Sequence, residues 1–329
     1  MGADPILEIE DLAVHFPMSG GRVVRAVDGV SIDIKGGESV GLIGESGSGK
    51  STVARAVMQL VAPTAGVVRI GGRDLAAAGR RERRLARRRF QMVFQDSGSA
   101  LDPRITIGSS MREPLEVQGV AKGAAADTAV GEALRRVGLT PGHGGRYPHE
   151  LSGGQRQRVN IARALVLEPE LLVCDEAVSA LDLSLQADIL NLLDDLRREL
   201  HLAYLFIGHD LTVVAHVADR LGVMYLGKLM ELGPTDDVMG RPAHPYTVAL
   251  RSAEPETVPV AMRSRQRIVL EGDIPSPIAP PSGCVFHTRC PDAQPACATD
   301  VPAWRPLGPD RWIACHYPRV EATPQGAPQ

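Results

Sequence analysis

Gly44-Glu-Ser-Gly-Ser-Gly-Lys-Ser51 reads G-x-x-x-x-G-K-S and is followed by Thr52. This is the spacing of a loop that wraps a chain of phosphates. Gly44, Gly47 and Gly49 let the backbone turn without side-chain clash, so the N–H groups of the loop, Glu45, Ser46 and Ser48 included, face an anion. Lys50 supplies a point charge for the β- and γ-phosphates, and the Ser51 hydroxyl is the expected Mg²⁺ ligand. The context agrees. Ser39-Val-Gly-Leu-Ile43 is an apolar run of strand length, and after Thr52 the residues Val53, Val57 and Leu60/Val61 recur at helical spacing. Strand, glycine loop and helix N-terminus together favour negative charge, and the predicted ligand is ATP or GTP.

The elements that must position this loop are legible on either side of it. Leu7-Glu-Ile-Glu-Asp-Leu-Ala-Val-His-Phe16 alternates apolar and polar residues, as a half-exposed antiparallel strand does. Val23 to Ile34 reads as further strand broken at Asp28-Gly29, Val67–Ile70 as another, and Phe90–Phe94 as a third. Leu171-Leu-Val-Cys174 and Tyr204-Leu-Phe-Ile207 are short, wholly apolar runs that suit strands buried on both faces of a parallel sheet. Between them Leu185, Ile189, Leu192 and Leu196 mark a crossover helix. Residues 100–138 are helical in pattern, as is the stretch after Leu151, and Gly222–Leu232 reads as a terminal hairpin. The predicted fold is α/β, a mixed or parallel core sheet with an antiparallel β layer and a helical subdomain. Arg80 to Arg89 holds seven arginines in ten residues. A contact with anionic lipid or nucleic acid is one reading; a solvated helix face, with only Leu85 and Ala86 to bury, is the favoured one.

Leu151-Ser-Gly-Gly-Gln155, followed by Arg-Gln-Arg and Ile161-Ala-Arg-Ala164, closely resembles the signature of ABC-transporter ATPases. Physically it is a second helix N-terminus with glycines and a serine, an anion site with no phosphate of its own in this chain. Leu171–Cys174 ends in Asp175 and Glu176, two carboxylates at the tip of an apolar strand, where a cation site is the sensible location. Asp175 is placed to orient Mg²⁺ and Glu176 to polarise the attacking water. The resemblance, which runs from residue 7 to about 255, implies further roles. Gln95 matches the loop that senses Mg²⁺ and the membrane partner, Ser179-Ala-Leu-Asp182 the loop across a dimer interface, and His209 the histidine that contacts the γ-phosphate. Phe16 falls where the family places an aromatic on adenine, although a core phenylalanine fits there too. It implies a half-site, completed by Ser152, Gly153, Gly154 and Gln155 of an opposing ATPase. One departure is Ala177, where the family has proline after the glutamate; this removes a backbone restraint.

A net charge of −3 with pI ≈ 6.3 gives no electrostatic case for a nucleic-acid partner. No apolar run approaches the ~20 residues that cross a bilayer, and the N-terminus lacks a signal peptide's pattern, so a membrane role is expected to come through partners. Near residue 255 prolines mark a shift in composition, and the expected division is a nucleotide-binding domain over 1–255, with its helical subdomain at about 96–165, and an extension over 256–329. Arg241-Pro-Ala-His-Pro-Tyr, Glu271-Gly-Asp-Ile-Pro-Ser-Pro277 and Gly283-Cys-Val-Phe-His-Thr-Arg-Cys-Pro291 resemble the extension of ATPases from oligopeptide/dipeptide importers, whose relatives also serve nickel and other solutes. That resemblance implies a second, homologous ATPase subunit, two transmembrane permeases, an external binding protein and a peripheral place on the cytoplasmic face of the membrane. The rival class is a soluble ABC ATPase of DNA repair or translation, which usually carries a long coiled-coil insertion or two motif sets, both missing from this sequence. Cys284, Cys290, Cys297 and Cys315, spaced C-x5-C-x6-C-x17-C, admit free thiols, zinc with His287 and His316 as spare ligands, or an iron–sulfur cluster. The family resemblance favours a [4Fe–4S] cluster. Cys174, inside a buried strand, reads as inert packing.

Overall fold

The computed structural model describes residues 4–94, 100–179, 181–254 and 268–320. Strand β1 (Leu7–Pro17) pairs antiparallel with β2 (Val23–Ile34), and its alternation buries Leu7, Ile9, Leu12 and Val14. β2 does not break at Asp28-Gly29. Leu12 pairs with Val30 and Ala13 with Asp28, so Gly29, at φ 85°, is the extra residue of a bulge that bends the strand without ending it. Next come β3 (Ser39–Ile43), the glycine loop and α1 (Lys50–Val57). β4 (Ala65–Ile70) and β5 (Arg73–Asp74) join the first two strands in a four-stranded antiparallel sheet ordered β2-β1-β4-β5.

The arginine run forms α2 (Arg80–Ala86), which has no buried residue, as a solvated face should. It also does something the pattern did not suggest. Arg84 and Arg88 donate to the carbonyls of Val117 and Gln118 at the C-terminal end of α3 (Ile107–Gln118), where a helix has unpaired acceptors and a negative dipole end. Arg89 makes a forked pair with Glu170 at 2.6 and 2.7 Å.

β6 (Phe90–Val93) precedes a helical insertion of α3, α4 (Ala124–Arg136) and α5 (Gly153–Leu165). The chain then alternates through β7 (Leu171–Asp175), α6 (Leu183–Leu200), β8 (Ala203–Ile207), α7 (Leu211–Val217), β9 (Arg220–Tyr225) and β10 (Lys228–Pro234). β6, β7, β8, β3 and β9 are mutually parallel neighbours, and β10 turns back antiparallel to β9. Every residue of β3, β7 and β8 is buried, because both faces of the sheet are covered. Val40, Leu42, Leu171, Val173, Leu205 and Ile207 point to α1 and the antiparallel sheet. Leu172, Cys174, Tyr204, Phe206 and Leu221 point to the other core, built with α5, α6 and α7. Burial pushes the Cys174 thiol up to about 12, consistent with inert packing. The buried stripe of α6 is Ile189, Leu190, Leu193 and Leu196, rotated from the expected face. Leu185 instead covers Gly154, where an added Cβ would stand 2.9 Å from its Cδ2.

The β9–β10 hairpin is not the edge of the sheet. After α8 (Thr235–Gly240), α9 (Pro245–Ala253) and α10 (Pro295–Thr299), the strands β11 (Arg305–Gly308) and β12 (Arg311–Ile313) extend it in the order β11-β12-β10. Cys284, Val285, Phe286 and Cys297 lie in the same core as the helical face of the main sheet. A buried ion pair fastens the join: Arg311 Nη2 stands 2.7 Å from Glu231 Oε1, at 6% and 0% side-chain exposure. Glu231 also accepts from the N–H groups of Ala243 and His244. Complete burial holds His244 down at about 3, from an ordinary value of 6.5.

Arg311→Ala strands a buried carboxylate and is expected to cost about 3–5 kcal/mol in denaturant unfolding. The depressed His244 contributes stability that is present in full above pH 6.5 and is lost as pH falls toward about 3. His244→Asn, which keeps a helix-capping acceptor but cannot titrate, should flatten the acid limb of stability measured against pH.

Candidate active site

The site is built at the tips of buried strands. β3 ends at Ile43 and the loop follows with Gly44 at φ 152° and Gly49 at φ 106°. A Cβ on Gly44 would stand 2.1 Å from the Met224 carbonyl oxygen, and one on Gly49 2.2 Å from that of Ala26, so both positions require glycine. The Lys50 side chain is folded back and buried. Its Nζ donates to the carbonyls of Gly44 (2.8 Å) and Glu45 (3.0 Å) and to Ser48 Oγ (3.2 Å), closing the loop around its own ammonium. Burial lowers the Lys50 pKa, opposed by the carboxylates of Glu176, Asp175 and Glu45. Ser46, Gly47 and Thr52 complete the loop and the first turn of α1, with Thr52 N–H donating to Gly49 O.

Across from the loop, β7 delivers Asp175 to its tip. Ser51 Oγ donates to Asp175 Oδ1 at 2.9 Å, so two oxygens suited to a hard cation adjoin the helix N-terminus. Burial raises the Asp175 pKa, the Ser51 hydrogen bond opposes this, and the neighbouring Glu176 charge adds to it. A carboxylate made costly by desolvation and a like charge is one that gains from a cation. The donor set therefore fits Mg²⁺, and Ser51 and Asp175 would hold it, where it would neutralise phosphate charge.

Glu176 follows with a left-handed φ of 49°, its N–H donating to Ile207 O at 2.9 Å. That turn aims its carboxylate at the tip of β8, where Glu176 Oε2 lies 3.7 Å from His209 Nδ1. The two share a cleft of about 60 Å³ with Ser179, Gln186 and Asp210. Ala177, in place of proline, is not left loose. Gln157 Nε2 in α5 donates to the Ala177 carbonyl at 2.6 Å, and Ser179 N–H and Oγ both donate to the Glu176 carbonyl. Gln157 was not singled out from the sequence, although it lies in the Arg-Gln-Arg run after the signature.

Other expected residues take different parts. Ser152 caps α5, accepting from Gln155 N–H in a reciprocal capping box, and Asp182 caps α6 by accepting from Leu185 N–H. Among the described residues neither bonds to the phosphate loop. Gly153 and Gly154 open α5 behind Ser152, so the signature presents a capped helix N-terminus. Phe16 is 39% exposed near the end of β1. Gln95 lies outside the described residues.

The iron–sulfur expectation is corrected. Cys284, Cys290, Cys297 and Cys315 line one crevice with His244, His287 and His316, but its free volume is about 10 Å³, room for no more than one water. Among the described residues no group of three or more His, Cys, Asp or Glu side chains is arranged to hold a metal ion. The same finding removes zinc. The four thiols are free, Cys284 and Cys297 buried and Cys290 and Cys315 half-buried. Burial pushes Cys290 and Cys315 up to about 11 and also raises Cys284, so these stay protonated.

A glycine loop, a paired serine and aspartate, and a glutamate–histidine pair on parallel strand tips, with a second, serine-capped helix that opens Gly153-Gly154, define an ATP-binding cassette. Comparisons agree. The ABC transporter family model matches residues 27–179, and the model for the oligopeptide/dipeptide transporter C-terminal region matches residues 230–297. The chain is 48% identical over 320 residues to the oligopeptide transport ATP-binding protein AppF of Bacillus subtilis, covering 95% of this chain and 97% of that one. It is 50% identical over 315 residues to a putative peptide import ATP-binding protein of Brucella ovis, covering 96% and 98%. Among solved structures, the dimeric post-hydrolysis cassette MJ0796 bound to ADP and Pi superposes with TM-score 0.62 at 29% identity, over 70% of this chain and 98% of that one. For cbiO1 of Clostridium perfringens the TM-score is 0.64 at 27% identity, over 72% and 92%. The chain belongs to the ABC transporter ATPases. Within them it falls with the ATP-binding proteins of the oligopeptide/dipeptide transporter family.

Glu176→Gln is expected to retain ATP but lose at least ~10²-fold in turnover, the scale of one transition-state contact, in a steady-state phosphate-release assay. Lys50→Ala, which removes the charge that closes the loop, should abolish ATP binding in calorimetry.

Proposed function

We propose that the protein is the energy-coupling subunit of a peptide importer, hydrolysing ATP to drive closure of an ATPase dimer that moves two membrane permeases. The observation that carries the reading is the strand-tip site together with an extension that matches the oligopeptide/dipeptide transporter region. Lys50 and the loop amides hold the triphosphate. Glu176 orients the attacking water and accepts its proton, and His209 steadies the γ-phosphate. Hydrolysis by this mechanism is mostly positioning and charge stabilisation, which the rigid strand tips serve.

In this reading the site is completed in trans. Ser152 and its helix N-terminus close over the partner's γ-phosphate, and the partner's signature does the same here, with Asp182 and Ser179 at the interface. That one cassette of the same fold is dimeric in a post-hydrolysis state supports it. The second ATPase would be a different, homologous chain, and an external binding protein would present the peptide. The division into a cassette over 1–255 and an extension over 256–329 goes with the same reading, as does Gln95 as the contact to the permeases. No helix among the described residues is long and apolar enough to cross a membrane. Attachment to the cytoplasmic face would therefore run through the permeases.

Affinity purification from solubilised membranes is expected to bring down two multi-span permeases and a second ATPase, with ATP hydrolysis stimulated by peptide-loaded binding protein. Recovery with ribosomes or nucleic acid, and without permeases, would overturn the transport role.

A further inference from the structure

Glu45 is an unexpected side chain in an anion site. It stands second in the loop that wraps the triphosphate, and its negative charge is felt at the Lys50 ammonium. Left alone, a carboxylate here would repel phosphates at close quarters, and partial burial would limit screening by solvent. It is answered from the far end of the chain. Arg289 Nη1 lies 2.7 Å from Glu45 Oε2, and Nη2 lies 3.3 Å from Oε1, a two-pronged grip across 244 positions of sequence. The Arg289 side chain is 8% exposed, and its guanidinium also reaches Tyr225 Oη at 3.4 Å and stands over the Tyr225 ring at 5.9 Å.

The grip is rigid at both ends. Arg289 closes a short turn that begins after Phe286, and Phe286 is fully buried against Tyr225 and Tyr246, each with ring centroids 5.2 Å away. On the loop side the Glu45 N–H donates to Tyr246 Oη at 2.9 Å. One loop residue is therefore held twice, its backbone by α9 and its side chain by the cysteine-bearing extension.

We propose that Arg289 is a positioning residue of the nucleotide site: it neutralises Glu45 and sets the phosphate loop, so that the C-terminal extension is a working part of ATP binding. This rests on the reading of the loop as an ATP site. The extension need not touch nucleotide to act, because its charge reaches the phosphates through Glu45.

The test uses the full chain and calorimetric binding of the non-hydrolysable analogue AMP-PNP. Arg289→Met, which keeps the apolar stem, is expected to weaken binding about 10-fold, the scale of coupling between contacting groups. In steady-state hydrolysis the change falls on KM with kcat retained. The decisive variant is Glu45→Gln/Arg289→Met, which removes both charges and should restore affinity to within about 2-fold of wild type if charge is the cause. Wild-type affinity in Arg289→Met, or a double variant as weak as the single, overturns the proposal and leaves Arg289 a packing role. Should Arg289→Met fail to fold, the double variant is compared with wild type, and a tenfold loss there overturns it. Failure of the wild type itself to bind AMP-PNP would sink the nucleotide-site reading, whereas wild-type binding with an unaffected Arg289→Met sinks this inference alone.

Discussion

The buried ammonium of Lys50 sets the terms for the rest of the molecule. A charge removed from water must be satisfied in place. It is satisfied by two carbonyls and a hydroxyl of its own loop, which curls the loop around the ammonium. That geometry needs glycine where the loop passes the carbonyls of Met224 and Ala26, and it needs β3 and β9 fixed beside each other. The parallel sheet provides the fixing. With both faces covered, the ends of β3, β7 and β8 cannot drift, and three strand tips bring the loop, the two carboxylates and the histidine into one place.

The extension takes part in this rigidity. β12 lies against β10, the Arg311–Glu231 pair is closed to solvent, and Phe286 sits among the aromatics beneath the loop. The four cysteines belong to this packing. They approach one another because the turn around Phe286 and the short helix α10 fold over the same core, with Cys284 N–H donating to the Cys297 carbonyl at 2.8 Å. Proximity in a crevice with almost no free volume is a consequence of close packing.

The motifs were readable because each is local: a glycine loop, a capped helix and a strand ending in two acids occupy consecutive residues, and their chemistry follows from residue type and spacing. The buried strands were equally plain, since a strand covered on both faces has no polar position to disguise it. Contacts between distant residues left no such trace. Nothing local in Arg84 and Arg88 points to the end of α3, and nothing near Gln157 points to the Ala177 carbonyl. The face of α6 was misjudged for a related reason. Leucine at seven of its positions made several stripes equally apolar, and packing against α5 and α7 chose among them.

From residue order alone one could tell that this chain belongs with nucleoside triphosphate binders, which loop has the spacing for phosphates, and which strand carries the acids, because a phosphate loop is short enough for its own backbone to define it. Which residues restrain that loop was settled only by folding. Glu45 meets Arg289, and Glu231 meets Arg311, across separations at which spacing carries no information and complementary charge finds its partner through the packing of a shared core. The meaning of the cysteines was decided there as well: four thiols in sequence suggest a ligand set, and three-dimensional packing makes them the lining of a crevice with almost no free volume.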